Sequence, residues 1–136
     1  MKKINVNTYN CHVIYIVTDA MRETEKYLTK KYGGEYDQPV DYDDSEGVTI
    51  TITGKLYVVM IDYKYLTHNT IAHELYHATR RITEDRAITD EESSAWLAGF
   101  LSEEFYKFLT TTRVTKAFDK LAKDKDGKTT ESTGTK

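Results

Sequence analysis

The stretch TIAHELYHATR, residues 70–80, decides how this chain is read. His73 and His77 stand four residues apart on an otherwise apolar segment, with Glu74 directly after the first histidine. At 3.6 residues per turn the two histidines stack on one helix face, about one turn apart. Two imidazoles at that spacing can share one tetrahedral ion, with Zn–N distances of about 2.0–2.1 Å. Glu74 points ~100° round the helix. That is too far round for an equal ligand, but within reach of a water on the ion, which is where a general base belongs. A single histidine on an apolar helix is most often a packed core residue, and a pair can arise by chance. The surroundings of the motif decide between these readings.

Upstream, VTITIT (48–53) alternates, with Val48, Ile50 and Ile52 on one face and threonines on the other. LYVVMID (56–62) is more continuously apolar, which places it further inside a sheet. Gly54 and Lys55 between them fit a two-residue hairpin turn. Thr67 or Asn69 can then cap a long helix that carries the histidines and runs to about Arg86. TDEESSAWLAGFLSEEFYKFLTT (89–111) reads as a second long helix, with Asp90, Glu91 and Glu92 at the positive end of its dipole. Nearer the N-terminus, CHVIYIVTD (11–19) is a buried strand whose Asp19 can cap the helix MRETEKYLTKKYGG (21–34). Met21, Leu28 and Tyr32 share one face of that helix, and Gly33 and Gly34 stop it. EYDQPVDYDDSEG (35–47) reads as a solvated loop, and its DYDD (41–44) lacks the glycine and terminal glutamate of a calcium loop. From Thr115 the chain turns polar, and KLAKDKDGKTTESTGTK (120–136) has the composition of a disordered tail. The expectation is one α+β domain over 1–114 and a tail over 115–136. In it a small mixed sheet with a hairpin packs on the histidine helix and a following glutamate helix.

A third ligand should lie downstream. Glu92 is followed by Ala95, Gly99 and Ser102 on one stripe of small residues. Such a stripe lets two helices approach closely, as a shared ion requires. Gly99 costs about 1 kcal/mol relative to alanine inside a helix, so a packing reason is expected. Amphipathicity alone leans instead to Glu91, which shares a face with Ala98, Phe105 and Leu109. Either glutamate also serves simply as a first-turn charge. The small-residue stripe favours Glu92.

Bulk properties bound the rest. With 136 residues the chain is long enough for one domain with a real core. A net charge of −3 argues against a broad nucleic-acid footprint. The single cysteine, Cys11, excludes an intramolecular disulfide, suits a reducing cytosol and reads as a small buried hydrophobe. MKKINVNTYN lacks the apolar run of a signal peptide, and no stretch approaches the ~18 apolar residues of a membrane span, so a cytoplasmic protein is expected. Of the remaining candidates, His68 reads as a helix-start surface residue and His12 as a packed or edge histidine. Arg80 reads as a salt-bridge partner. Tyr63 or Tyr65 could donate a hydrogen bond to an oxyanion, with exposed packing as the simpler role.

AHELYH followed by ESSAWLAG resembles the gluzincin metallopeptidases, and among them the small single-domain H-E-x-x-H proteins of bacteriophages and mobile elements. The resemblance covers roughly residues 48–110. Fourteen residues separate His77 from Glu92, and Trp96 stands where several peptidase families carry aspartate. The resemblance implies a minimal zincin-like fold and a Zn²⁺ held by His73, His77 and Glu92. It also implies peptide-bond hydrolysis with Glu74 as general base, acting on a peptide or protein substrate. The expected species is a cytoplasmic monomer, in the host cytoplasm if phage-encoded. The substrate would lie extended along a sheet edge, assigned to the strand 56–62. The rival reading is a non-catalytic zinc-containing interaction protein that binds a host or partner protein through its tyrosine-rich surface. A weaker third is hydrolysis of a non-peptide amide.

Overall fold

The computed structural model describes residues 1–33 and 45–110. Four strands, β1 (Lys2–Val6), β2 (Cys11–Thr18), β3 (Gly47–Thr53) and β4 (Leu56–Asp62), combine with three helices, α1 (Met21–Tyr32), α2 (His68–Asp85) and α3 (Glu91–Leu109). The sheet order is β1-β2-β4-β3. β2 and β4 run parallel, and the two outer pairings are antiparallel, so the sheet is mixed.

The hairpin turns at Gly54 and Lys55, between the ends of β3 and β4. β2 and β4 are nearly continuous apolar runs because both faces of the sheet are covered. On one face, Met21 and Leu28 of α1 pack with Ile14, Ile16, Val58 and Met60. On the other, Ile71, Leu75, Ala78 and Ile82 of α2 and Leu97, Leu101 and Phe105 of α3 pack with Val13, Tyr15, Tyr57, Val59 and Ile61. The core is thus split by the sheet into two apolar layers, and α2 is held along its whole apolar face.

Several expectations change. β1 forms from a segment that reads as an ordinary polar N-terminus, because Ile4 and Val6 alternate into the core while Lys2 and Lys3 stay exposed. Asp19 does not cap α1; the Thr18 hydroxyl accepts from the Ala20 N–H at 3.0 Å instead. β4 has a neighbour on each side, so the strand 56–62 offers no free edge, and among the described residues the outer strand beside α2 is β3. Thr67 caps α2 and Asp90 caps α3, each accepting from the N–H three residues on. The acidic-loop reading of 35–44 and the tail reading of 115–136 lie outside the described residues. No helix among the described residues is long and apolar enough to cross a membrane.

Arg86 clasps the C-terminal end of α2 to the sheet. Its guanidinium donates to the Tyr9 carbonyl (2.6 Å), the Gly54 carbonyl (2.8 Å) and the Tyr57 hydroxyl (3.0 Å). The Tyr57 hydroxyl in turn donates to the Asp85 carboxylate. Burial, with help from Asp85, pushes the Tyr57 phenol up to about 12. Arg86→Ala should therefore destabilise the domain by about 1.5–3 kcal/mol, read from the urea midpoint. Arg86→Lys should recover only part, because one ammonium cannot span three acceptors in a fixed fork. An unchanged midpoint for Arg86→Ala would mean that the clasp adds nothing.

Candidate metal centre

α2 places His73 and His77 on its exposed flank, directly beside the side that meets β3. On that side Thr70 bonds Glu46, Glu74 bonds Thr49 and Arg81 bonds Thr51. The two imidazoles converge, with their Nε2 atoms 3.1 Å apart and ring planes at 77°. Two nitrogens each ~2.05 Å from a tetrahedral ion stand about 3.3 Å apart, so the pair fits two positions of one zinc ion. The rings are open to solvent, His73 with 64% of its side chain exposed.

Glu74 is a different kind of residue from its neighbours. It is only 5% exposed. Its Oε1 accepts from the Thr49 hydroxyl at 2.8 Å, and its Oε2 faces the His73 Nε2 at 3.8 Å. The Thr49 hydroxyl also lies 3.0 Å from the Glu74 carbonyl. A buried carboxylate is costly unless paired and hydrogen-bonded, so one hydroxyl and a nearby imidazole are a sparse set of partners. The fit is tight because residue 47 has no side chain: a Cβ on Gly47 would stand 3.0 Å from the Glu74 Cγ and 3.1 Å from the Met60 carbonyl oxygen.

Glu92 does not join this group. It is exposed in the first turn of α3, as is Glu91. The stripe that favoured it faces solvent: Ala95 and Gly99 are exposed, and a Cβ on Gly99 would meet nothing within 4 Å. The buried face of α3 is instead Leu97, Leu101, Phe105, Phe108 and Leu109. The contact between α2 and α3 falls on another side of α2 from the histidines. His68 touches α3 through the Tyr106 hydroxyl, and His73 and His77 lie ~140° and ~180° round α2 from it. Among the described residues, no three His, Cys, Asp or Glu side chains are grouped so as to hold a metal ion.

The other candidates fall into structural roles. His12 bonds the Asn5 side chain at 2.6 Å across the β1–β2 pair. Arg80 pairs with Glu84 at 2.7 Å on the helix surface. Cys11 is buried, and burial pushes its thiol up. Trp96 stacks on Phe100 with Tyr9 at its edge. Tyr63 and Tyr65 form a short 3-10 turn, and Tyr65 shares a cleft with His73 and Glu74. The residues that a reading of the sequence passes over are Glu46, Gly47, Thr49 and Thr70. Only the threonine row of 48–53 signals them, since a polar face on a strand beside a buried glutamate is a donor row.

Comparison with known proteins finds no matching family model, no matching curated protein and no matching solved structure.

The geometry predicts which side chains matter to an added ion. In a zinc titration, His73→Ala or His77→Ala should abolish stoichiometric binding, whereas Glu92→Ala and Glu91→Ala should change the affinity by less than threefold. Loss of binding in Glu92→Ala would mean that α3 swings its N-terminus to the histidines when the ion arrives.

Proposed function

We propose that this chain is a zinc-dependent hydrolase of the zincin kind that cleaves a peptide bond. The observation that carries the reading is the pairing of two unlike features on one helix. Two exposed imidazoles converge to 3.1 Å, and a buried carboxylate beside them is held by a single hydroxyl. A purely structural ion would have use for the histidines but none for a glutamate kept out of water at that point. Zinc bound at the histidine pair would supply Lewis-acid activation of water and of a carbonyl.

The chain's own residues do the rest. Thr49 fixes Oε1 of Glu74, which leaves Oε2 turned toward the histidines. Oε2 accepts a proton from the attacking water and returns it to the leaving nitrogen. Gly47 keeps β3 close enough for Thr49 to reach. The outer edge of β3, unpaired among the described residues, runs past this point and can pair with an extended peptide through main-chain hydrogen bonds. That role belongs to β3 and not to the strand 56–62.

The rival reading, a zinc-bearing interaction protein, draws on Tyr76, which is 62% exposed right beside His77. One pair of variants separates the two. Glu74→Gln should keep zinc within threefold of the wild type and lose peptide hydrolysis by about 10²–10⁴-fold, the usual worth of a general base. Tyr76→Ala should leave hydrolysis within threefold. A wild type that holds zinc yet cleaves no member of a mixed peptide library would hand the reading to the interaction protein.

A further inference from the structure

We propose that Glu46 is the recognition carboxylate of the cleft beside the histidine pair, and that it takes a cationic group of a peptide, an ammonium or a guanidinium. This rests on the hydrolase reading for the reacting end of the cleft, but the binding chemistry at Glu46 stands on its own contacts. The cleft has a volume of about 510 Å³ and is lined by Glu46, Gly47, Tyr65, Thr70, His73 and Glu74, among others. That is the size of pocket that takes a small ligand or a few residues of peptide. Among the described residues its lining holds two carboxylates and one imidazole but no lysine or arginine. Such a cleft favours positive charge.

The two carboxylates have different work. Glu74 is buried, aimed into the cleft and tied up with Thr49. Glu46 is exposed at the mouth of the cleft and is set in place from both ends. Its carbonyl accepts from the Asp62 N–H at 3.0 Å. Its Oε2 accepts from the Thr70 hydroxyl at 3.1 Å, and Thr70 in turn accepts from the Thr67 hydroxyl at 3.1 Å. The hydroxyl relay orients the carboxylate yet occupies one of its roughly four acceptor sites. Among the described residues, no lysine or arginine is paired with it. The remaining acceptor sites suit a donor brought by a ligand, and a charged donor makes the stronger bond.

Position gives the class of ligand. Thr70 lies four residues before Glu74 on α2, so the Glu46 carboxylate sits about one helix turn, ~5.4 Å, along the helix from the reacting end. An extended peptide covers that distance in about two residues, and a lysine or arginine side chain covers it alone. The cation is therefore a free N-terminal amine near the reacting carbonyl, or a basic side chain next to it. The chemistry at Glu46 is the same for both.

The test is binding, so that it does not depend on turnover. Four peptides of one length are titrated calorimetrically into zinc-loaded Glu74→Gln protein: with lysine or norleucine at the central position, each with a free or an acetylated N-terminus. The expected result is at least tenfold tighter binding of one cationic form over its neutral counterpart. The preference should vanish in Glu74→Gln/Glu46→Gln and reverse toward a central glutamate in Glu74→Gln/Glu46→Lys. Loss on acetylation assigns the cation to the N-terminus, and loss on the norleucine exchange assigns it to the side chain. Glu46→Gln keeps an acceptor for Thr70, so its thermal midpoint should match the parent and rule out misfolding. Equal binding of all four peptides, absence of binding, or a charge preference that survives Glu46→Gln overturns the proposal. The charge preference without any cleavage by the wild type would sink the hydrolase reading and leave the subsite standing. Cleavage without charge preference would do the opposite.

Discussion

The middle of α2 is tied to the sheet by one hydrogen bond, from the Thr49 hydroxyl to Glu74, and the proposed hydrolase depends on it. A carboxylate this well buried loses most of its hydration, and a single hydroxyl returns only part of it. The same bond ties the edge strand β3 to the middle of α2, so the chemistry and the packing share a contact. Gly47 is its silent partner, because any larger residue would press on both Glu74 and the Met60 carbonyl.

The helix that carries this contact is fastened at both ends. Thr67 and the Thr70–Glu46 pair hold its first turn, and Arg86 clamps its last turn to the loop before β2 and to the hairpin. Between them, Ile71, Leu75, Ala78 and Ile82 lock the apolar face onto the sheet. Convergence of His73 and His77 is thus a property of a fixed scaffold, which is what keeps two flexible, solvent-exposed rings within ligand geometry.

Much of this was legible in the chain. The alternation of 48–53, the apolar run of 56–62 and the glycine between them specified the hairpin, and the i, i+4 spacing put the histidines on one face. The position of α3 was not legible. A helical wheel says which residues of a helix are alike, not which flank of its neighbour it will occupy. The stripe through Ala95 and Gly99 looked like a contact surface, while the structure buries Leu97, Leu101 and Phe105 and leaves that stripe to solvent. Short β1 escaped notice because two lysines mask a two-residue alternation that only pairing with β2 makes meaningful. Thr49 and Glu46 escaped because neither a threonine on a strand nor a glutamate in the bend before it carries a mark of the partner twenty or more residues away.

The two outer strands of the sheet are also unlike each other in a way that bears on how the protein behaves in concentrated solution. Each edge carries unpaired backbone groups, and two open edges on one sheet would let molecules zip together without limit. Among the described residues β3 is unpaired on its outer side, whereas β1 carries the exposed charges of Lys2 and Lys3 on its first two residues. A strand that ends in paired lysines repels a copy of itself and is a poor template for a neighbour. Growth of a fibrous stack needs both edges of each molecule, so the lysines of β1 work against it even where β3 is left to pair.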